Sequence, residues 1–130
     1  MQATNHLGLE CVPLYDTLGE NAIEYIIDHS ESTFVVVGAA KLPAFVKALA
    51  QIKQKLKGVV YWGSDVQQSD LKALADKGIT ATQFDTFVAD GVSKDTSAAP
   101  PRKGDVCTIM YTSGARLSSL ARLLVPMQRV

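Results

Sequence analysis

Four consecutive residues, Tyr111-Thr112-Ser113-Gly114, carry the densest chemistry in this chain. Two hydroxyls followed by glycine, at the end of an apolar run, suit a loop that wraps an anion. The hydroxyls donate hydrogen bonds, and glycine lets backbone N–H groups approach a phosphate closely. Such a loop ordinarily continues with more glycine and a lysine whose charge offsets a triphosphate. Here Ala115-Arg116-Leu117 follows, and neither Lys nor Gly occurs after Gly114. The G-x-x-x-x-G-K-[ST] pattern is absent as well. On composition alone the same four residues read as an ordinary Thr/Ser/Gly turn.

The other candidates are sparser. Asp16 and Thr17 read as a helix cap, and Tyr61 and Trp62 as core or rim aromatics, not as a nucleotide-stacking platform. His29 falls near a helix C-terminus, where it fits a favourable interaction with the helix dipole, and His6 lies in the irregular start of the chain. Two isolated histidines and two distant cysteines give no metal-ligand spacing. Cys11 and Cys107 sit in apolar runs and read as buried, reduced thiols of an intracellular protein. No Ser-His-Asp or Cys-His set can be assembled, so no residue is assigned a catalytic or metal-binding role.

Alternating elements must position these groups. Residues 9–14 (LECVPL) read as a first strand, and Thr17, with Glu20 three residues on, opens a helix in capping-box spacing. Leu18, Ala22, Ile23, Ile26 and Ile27 share one face of that helix, opposite Glu20, Glu24 and Asp28. The β-branched run at 33–37 reads as a strand covered on both faces. Leu42, Phe45, Val46, Leu49, Ile52 and Leu56 mark a second amphipathic helix, with Pro43 in its first turn and lysines on its solvated side. A buried strand at 58–62 ends at Gly63. Ser69 then caps a short helix through Asp76, stopped by Lys77-Gly78. Residues 79–84 give a further strand, 85–90 a helical turn, and 105–111 (DVCTIMY) the last strand. The order predicts an α/β fold: a partial, doubly wound, mainly parallel sheet with helices on both faces. Ligands of such sheets sit beyond the carboxyl ends of the strands, at Tyr15-Asp16-Thr17, Trp62-Gly63-Ser64-Asp65 and Tyr111-Thr112-Ser113-Gly114.

Composition bounds the rest. The 130 residues suit one domain with a real core, and 13 Lys+Arg balance 13 Asp+Glu. Zero net charge argues against a generally basic nucleic-acid binder. The neutrality is uneven: residues 1–114 hold 10 basic and 13 acidic groups, net −3, while 115–130 hold Arg116, Arg122 and Arg129, net +3. No apolar run approaches the roughly 20 residues of a membrane-spanning helix, and the N-terminus has no secretory signal pattern. Residues 91–104 (GVSKDTSAAPPRKG) read as a flexible linker. Leu117, Leu120, Ala121 and Leu124 have helical spacing beside Arg116 and Arg122, as an incidental apolar tail or a contact with an anionic membrane surface.

Two motifs bring a family into view. Val12-Pro13-Leu14-Tyr15-Asp16-Thr17-Leu18-Gly19, with Ala22-Ile23-Glu24-Tyr25-Ile26-Ile27 behind it, resembles a stretch of eukaryotic long-chain acyl-CoA synthetases. These belong to the adenylate-forming, AMP-binding superfamily. Asp105-Val106-Cys107-Thr108-Ile109-Met110-Tyr111-Thr112-Ser113-Gly114 resembles the strand and opening of that family's ATP phosphate loop. The resemblance covers about residues 7–114. It implies fatty-acid activation: ATP and fatty acid give an acyl-adenylate and pyrophosphate with Mg²⁺, and the thiol of CoA then displaces AMP. ATP, Mg²⁺ and CoA are thus the implied co-substrates, and Thr112, Ser113 and Gly114 the implied phosphate-loop residues. The implied setting is the cytoplasm or the cytosolic face of the endoplasmic reticulum, with peripheral membrane association in full-length relatives.

In the family the loop runs on through Thr-Gly to Pro-Lys-Gly, whereas here it departs at Ala115, where the charge balance also breaks. The expectation is a fragment (residues 1–114) of a synthetase domain with 91–104 as a linker inside it, joined to a divergent tail at 115–130. Met1 reads as an internal methionine of a longer ancestor, and a frame shift, retained intron or misplaced gene end at Gly114 accounts for the tail. Alone, the chain is expected to be inactive; the alternative reading is a non-catalytic nucleotide- or partner-binding module.

Overall fold

The computed structural model describes residues 2–15, 21–92, 94, 97–111 and 123–126. The chain divides into two units: Ile23–Asp95, and Met1–Ala22 with Thr96–Val130.

The first unit is built on three parallel strands in the order β1 (Phe34–Gly38), β2 (Gly58–Trp62) and β3 (Thr80–Gln83). Phe34 pairs with Gly58, Val36 with Val60 and Gly38 with Trp62, while Gly58 pairs with Thr80. Side chains alternate across such strands, so Val35 and Val59 share one face and Phe34, Val36, Val60 and Trp62 the other. On the first face Val35 and Val59 join Ile27 of α2 (Ala22–Ser30), Leu42 and Phe45 of α3 (Leu42–Ala48), and Leu74 of α4 (Gln68–Asp76) in one buried core. On the opposite face α5 (Phe84–Val92) lies against β2 and β3, and Val60 is fully buried there. The parallel sheet with helices on both faces is therefore present, as the β-branched runs require once water is excluded from both sides.

Several local expectations change. The helix expected from Thr17 is described from Ala22, preceded by Asn21 in the left-handed region at φ 61°; Asp16, Thr17 and Glu20 lie outside the described residues. α3 stops at Ala48, after a 3₁₀ turn at Ala39–Lys41, and does not run on to Leu56. Residues 52–57 are irregular: Leu56 is buried, whereas Lys53, Lys55 and Lys57 are exposed. Asp28 explains the change. Its Oδ1 accepts hydrogen bonds from the backbone N–H groups of Lys53 (2.9 Å) and Gln54 (2.8 Å). Two amides that a continuing helix would bond to itself are drawn to a carboxylate on α2. α4 ends at Lys77-Gly78 as expected, with Gly78 at φ 72°. It begins at Gln68, with Gln67 at the N-cap and no side-chain cap bond, so Ser69 does not cap it.

The second unit contains α1 (Gln2–His6) and a two-stranded antiparallel sheet of β4 (Val106–Met110) and β5 (Leu123–Pro126). The strand expected at 9–14 reduces to one parallel bridge between Cys11 and Thr108. Pro13 helps explain this, because it has no N–H to donate to a ladder. β5 corrects the helical reading of the tail at Leu124, which pairs with Ile109 as a strand residue; Leu117, Leu120 and Ala121 lie outside the described residues. α5 runs to Val92, into the expected 91–104 linker, and the boundary between the units falls within that stretch.

Candidate functional site

β4 leads toward Thr112-Ser113-Gly114 in sequence, and its position is held on two sides. On one side the Cys11 N–H donates to the Cys107 carbonyl (3.0 Å), and the Ile109 N–H donates to the Cys11 carbonyl (2.9 Å). The Thr108 hydroxyl donates to the same Cys11 carbonyl at 2.9 Å. On the other side β5 pairs from Met110–Leu123 back to Val106–Pro126, with an irregularity between Val106 and Thr108. Thr108, Ile109 and Tyr111 are all buried. A buried hydroxyl costs stability unless it is bonded, and the second bond to Cys11 meets that need for Thr108. The strand therefore ends in a firm anchor at Tyr111. Thr112, Ser113 and Gly114 follow directly and lie outside the described residues.

The second expected site, at the carboxyl end of β2, lies in the other unit and borders a cavity of about 630 Å³. Tyr61, Gly63, Ser64, Gln68, Gln83 and Asp85 line it, together with apolar neighbours. Gln83 and Asp85 were not singled out from the sequence. The Gln83 Oε1 accepts from the N–H groups of Asp85 (2.6 Å) and Thr86 (3.2 Å), and its Nε2 donates to Asp85 Oδ2 at 3.0 Å. Gln83 thus caps α5 from the last position of β3. Its amide is spent on that role, and Asp85 is an exposed partner in it, so the cavity wall carries structure and no assembled chemistry. Trp62 is half exposed, and a Cβ at Gly38 would stand 3.2 Å from its ring, which makes it a rim aromatic. At the third place Tyr15 is exposed and Asp16-Thr17 lie outside the described residues.

Other expectations resolve simply. His29, in the last turn of α2, stacks on Tyr25 with centroids 5.3 Å apart and planes 16° apart. Cys11 and Cys107 are thiols outside any disulfide and only half-buried, not fully buried as their apolar surroundings predicted. Among the described residues there is no group of three or more His, Cys, Asp or Glu side chains placed to hold a metal ion. Nor is any helix among them long and apolar enough to cross a membrane.

Comparison with known proteins follows the same outline. Long chain acyl-CoA synthetase 4 of Arabidopsis thaliana is 40% identical over 114 residues, which is 88% of this chain and 17% of that protein. Long chain acyl-CoA synthetase 5 of the same plant is 39% identical over 115 residues, and a probable CoA ligase, CCL6, of Humulus lupulus is 38% identical over 119. The chain thus spans about 17% of the length of these curated relatives. In fold it is similar to the adenylation domain of a carboxylate reductase from Mycobacterium chelonae. The TM-score is 0.68 at 22% identity, over 86% of this chain and 19% of that one. The AMP-binding enzyme family matches residues 1–115, ending where the phosphate-loop pattern breaks. The chain belongs to the AMP-binding enzyme family.

Proposed function

We propose that residues 7–114 form the part of an AMP-forming long-chain acyl-CoA synthetase that carries the start of its ATP phosphate loop. The observation carrying this reading is the DVCTIMYTSG strand: its described portion is clamped by Cys11 and β5, and the matched relatives bear the long-chain acyl-CoA synthetase name over that stretch. In the proposed reaction a fatty-acid carboxylate oxygen attacks the α-phosphorus of ATP and pyrophosphate leaves. The CoA thiol then attacks the acyl carbon of the mixed anhydride and AMP leaves. This chain's share is positioning and charge stabilisation: Thr112 and Ser113 hydroxyls donate to phosphate oxygens, and the Gly114 backbone closes on them. β4 is what such a loop needs beneath it, because a donor displaced by an ångström loses most of its effect. The same reading sets the protein in the cytoplasm or on the cytosolic face of the endoplasmic reticulum.

Residues 7–114 grafted in place of the matched stretch of a full-length long-chain acyl-CoA synthetase provide the test. Fatty-acid-dependent ATP–pyrophosphate exchange should persist in the graft, and Thr112→Ala should lower its kcat about 100-fold, the scale of losing one preorganised donor. An unchanged exchange rate in folded Thr112→Ala protein would contradict the assigned role.

A further inference from the structure

A side-chain bond ties together the two stretches that carry the family motifs. The Thr108 hydroxyl donates to the Cys11 carbonyl at 2.9 Å, and Cys11 stands directly before Val12 of the VPLYDTLG motif. Thr108 is 4% exposed, and among the described residues every other buried side chain except Tyr111 is apolar. Residues added around the chain can only deepen that burial. The segment bearing Cys11 is itself held. The Ala99 N–H donates to the His6 carbonyl (3.1 Å), and the Leu9 N–H donates to that of Thr4 (2.8 Å). Gly8, at φ 63°, lets Ala99 approach, since a Cβ there would stand 2.9 Å from the Ala99 carbonyl oxygen. The acceptor of the Thr108 bond therefore sits on an anchored segment.

We infer that Thr108 is a positioning residue: its hydroxyl locks β4 in one register against Cys11 and so sets where the chain continues into Thr112-Ser113-Gly114. The backbone bonds on the Cys11 side span a single bridge and would form between any two residues. Against β5 the register shifts between Val106 and Thr108, and Pro126 brings no N–H to that end. Backbone pairing alone therefore fixes β4 on neither side. Thr108 does so, because no other residue of β4 (Val106–Met110) carries a hydroxyl. A slip by two residues keeps every side chain on its own face, but it sets Val106 or Met110 opposite Cys11 and strips the buried hydroxyl of its acceptor. It would also carry the strand end by about 6.6 Å, against a tolerance of about an ångström for a preorganised donor. The catalytic consequence rests on the synthetase reading above; the lock itself does not.

Amide hydrogen exchange on the full 130-residue chain tests the lock. Thr108→Val keeps the branched shape and removes the hydroxyl, so exchange at the Cys11 and Ile109 amides should quicken about fivefold, the scale of one hydrogen bond. Exchange at Val60, in the other unit, should not change. Thr108→Ser should restore the slow exchange, and Thr108→Cys, whose thiol is a weak donor, stands in if the valine variant does not fold. In the synthetase carrying residues 7–114, Thr108→Val should lower kcat of ATP–pyrophosphate exchange about tenfold with the fatty-acid KM unchanged, and Thr108→Ser should restore it. Unchanged exchange at Ile109, a quickening matched at Val60, or a serine variant no better than valine would overturn the lock. An active parent graft whose kcat is indifferent to Thr108→Val would overturn the positioning role. An inactive parent graft would contradict the synthetase reading and the positioning role with it, while the exchange result still decides the lock.

Discussion

Glu31 and Gly78 close two helices in the same way with different residues. At the end of α2 the Ser32 N–H reaches back to the Ile27 carbonyl (3.2 Å), and at the end of α4 the Ile79 N–H reaches the Leu74 carbonyl (3.0 Å). Both closures need a left-handed residue between them: Gly78 sits at φ 72° and Glu31 at φ 55°. Glycine adopts that conformation without the Cβ clash that strains Glu31. Glu31→Gly should therefore raise stability by about 0.5–1 kcal/mol, and Gly78→Ala should lower it by about 1 kcal/mol although no atom lies within 4 Å of the added methyl. Differential scanning calorimetry reads both as opposite shifts of a few degrees in Tm. Asp28 is a third such residue. Removing its carboxylate in Asp28→Ala leaves the Lys53 and Gln54 amides without their acceptor and should cost about 1–2 kcal/mol in urea unfolding.

At the scale of elements, the strands and amphipathic helices were legible where one period dominated. Residues 34–37 and 59–62 are apolar without a break, and the strands expected at 33–37 and 58–62 became the paired β1 and β2, shifted by a residue at most. The segment 49–57 was misread because Leu49, Ile52 and Leu56 fit a helical stripe. The competing alternation was also there, with Lys53, Lys55 and Lys57 facing outward between Gln54 and Leu56. What decided between the two was Asp28, more than twenty residues away in sequence, and no local pattern carries that information. The segment around Cys11 shows a similar limit. Its apolar composition reads as a strand, yet it contributes a single bridge whose value lies in bonding three consecutive residues of β4. The cap that Gln83 gives α5 was hidden for a simpler reason: Gln is a weak N-cap signal beside Ser, Thr, Asp or Asn.

For the whole molecule, the charge is unevenly divided along the chain. The net −3 of residues 1–114 belongs to the stretch that matches the AMP-binding enzyme family, whose match ends at residue 115. The +3 of residues 115–130 lies past it, although Leu123–Pro126 still pairs with β4. Family and fold were readable because two motifs, VPLYDTLG and DVCTIMYTSG, occur in the right order. The loop that would act on ATP was readable only to Gly114. The proposed function requires that residues 7–114 can replace the matched stretch of a long-chain acyl-CoA synthetase. Its most direct measurement is long-chain acyl-CoA thioester formation by the synthetase carrying residues 7–114 of this chain. ATP- and CoA-dependent thioester is expected within about tenfold of the parent rate, a barrier change of about 1.4 kcal/mol or less. A folded graft with the parent's Tm and no thioester product would contradict it.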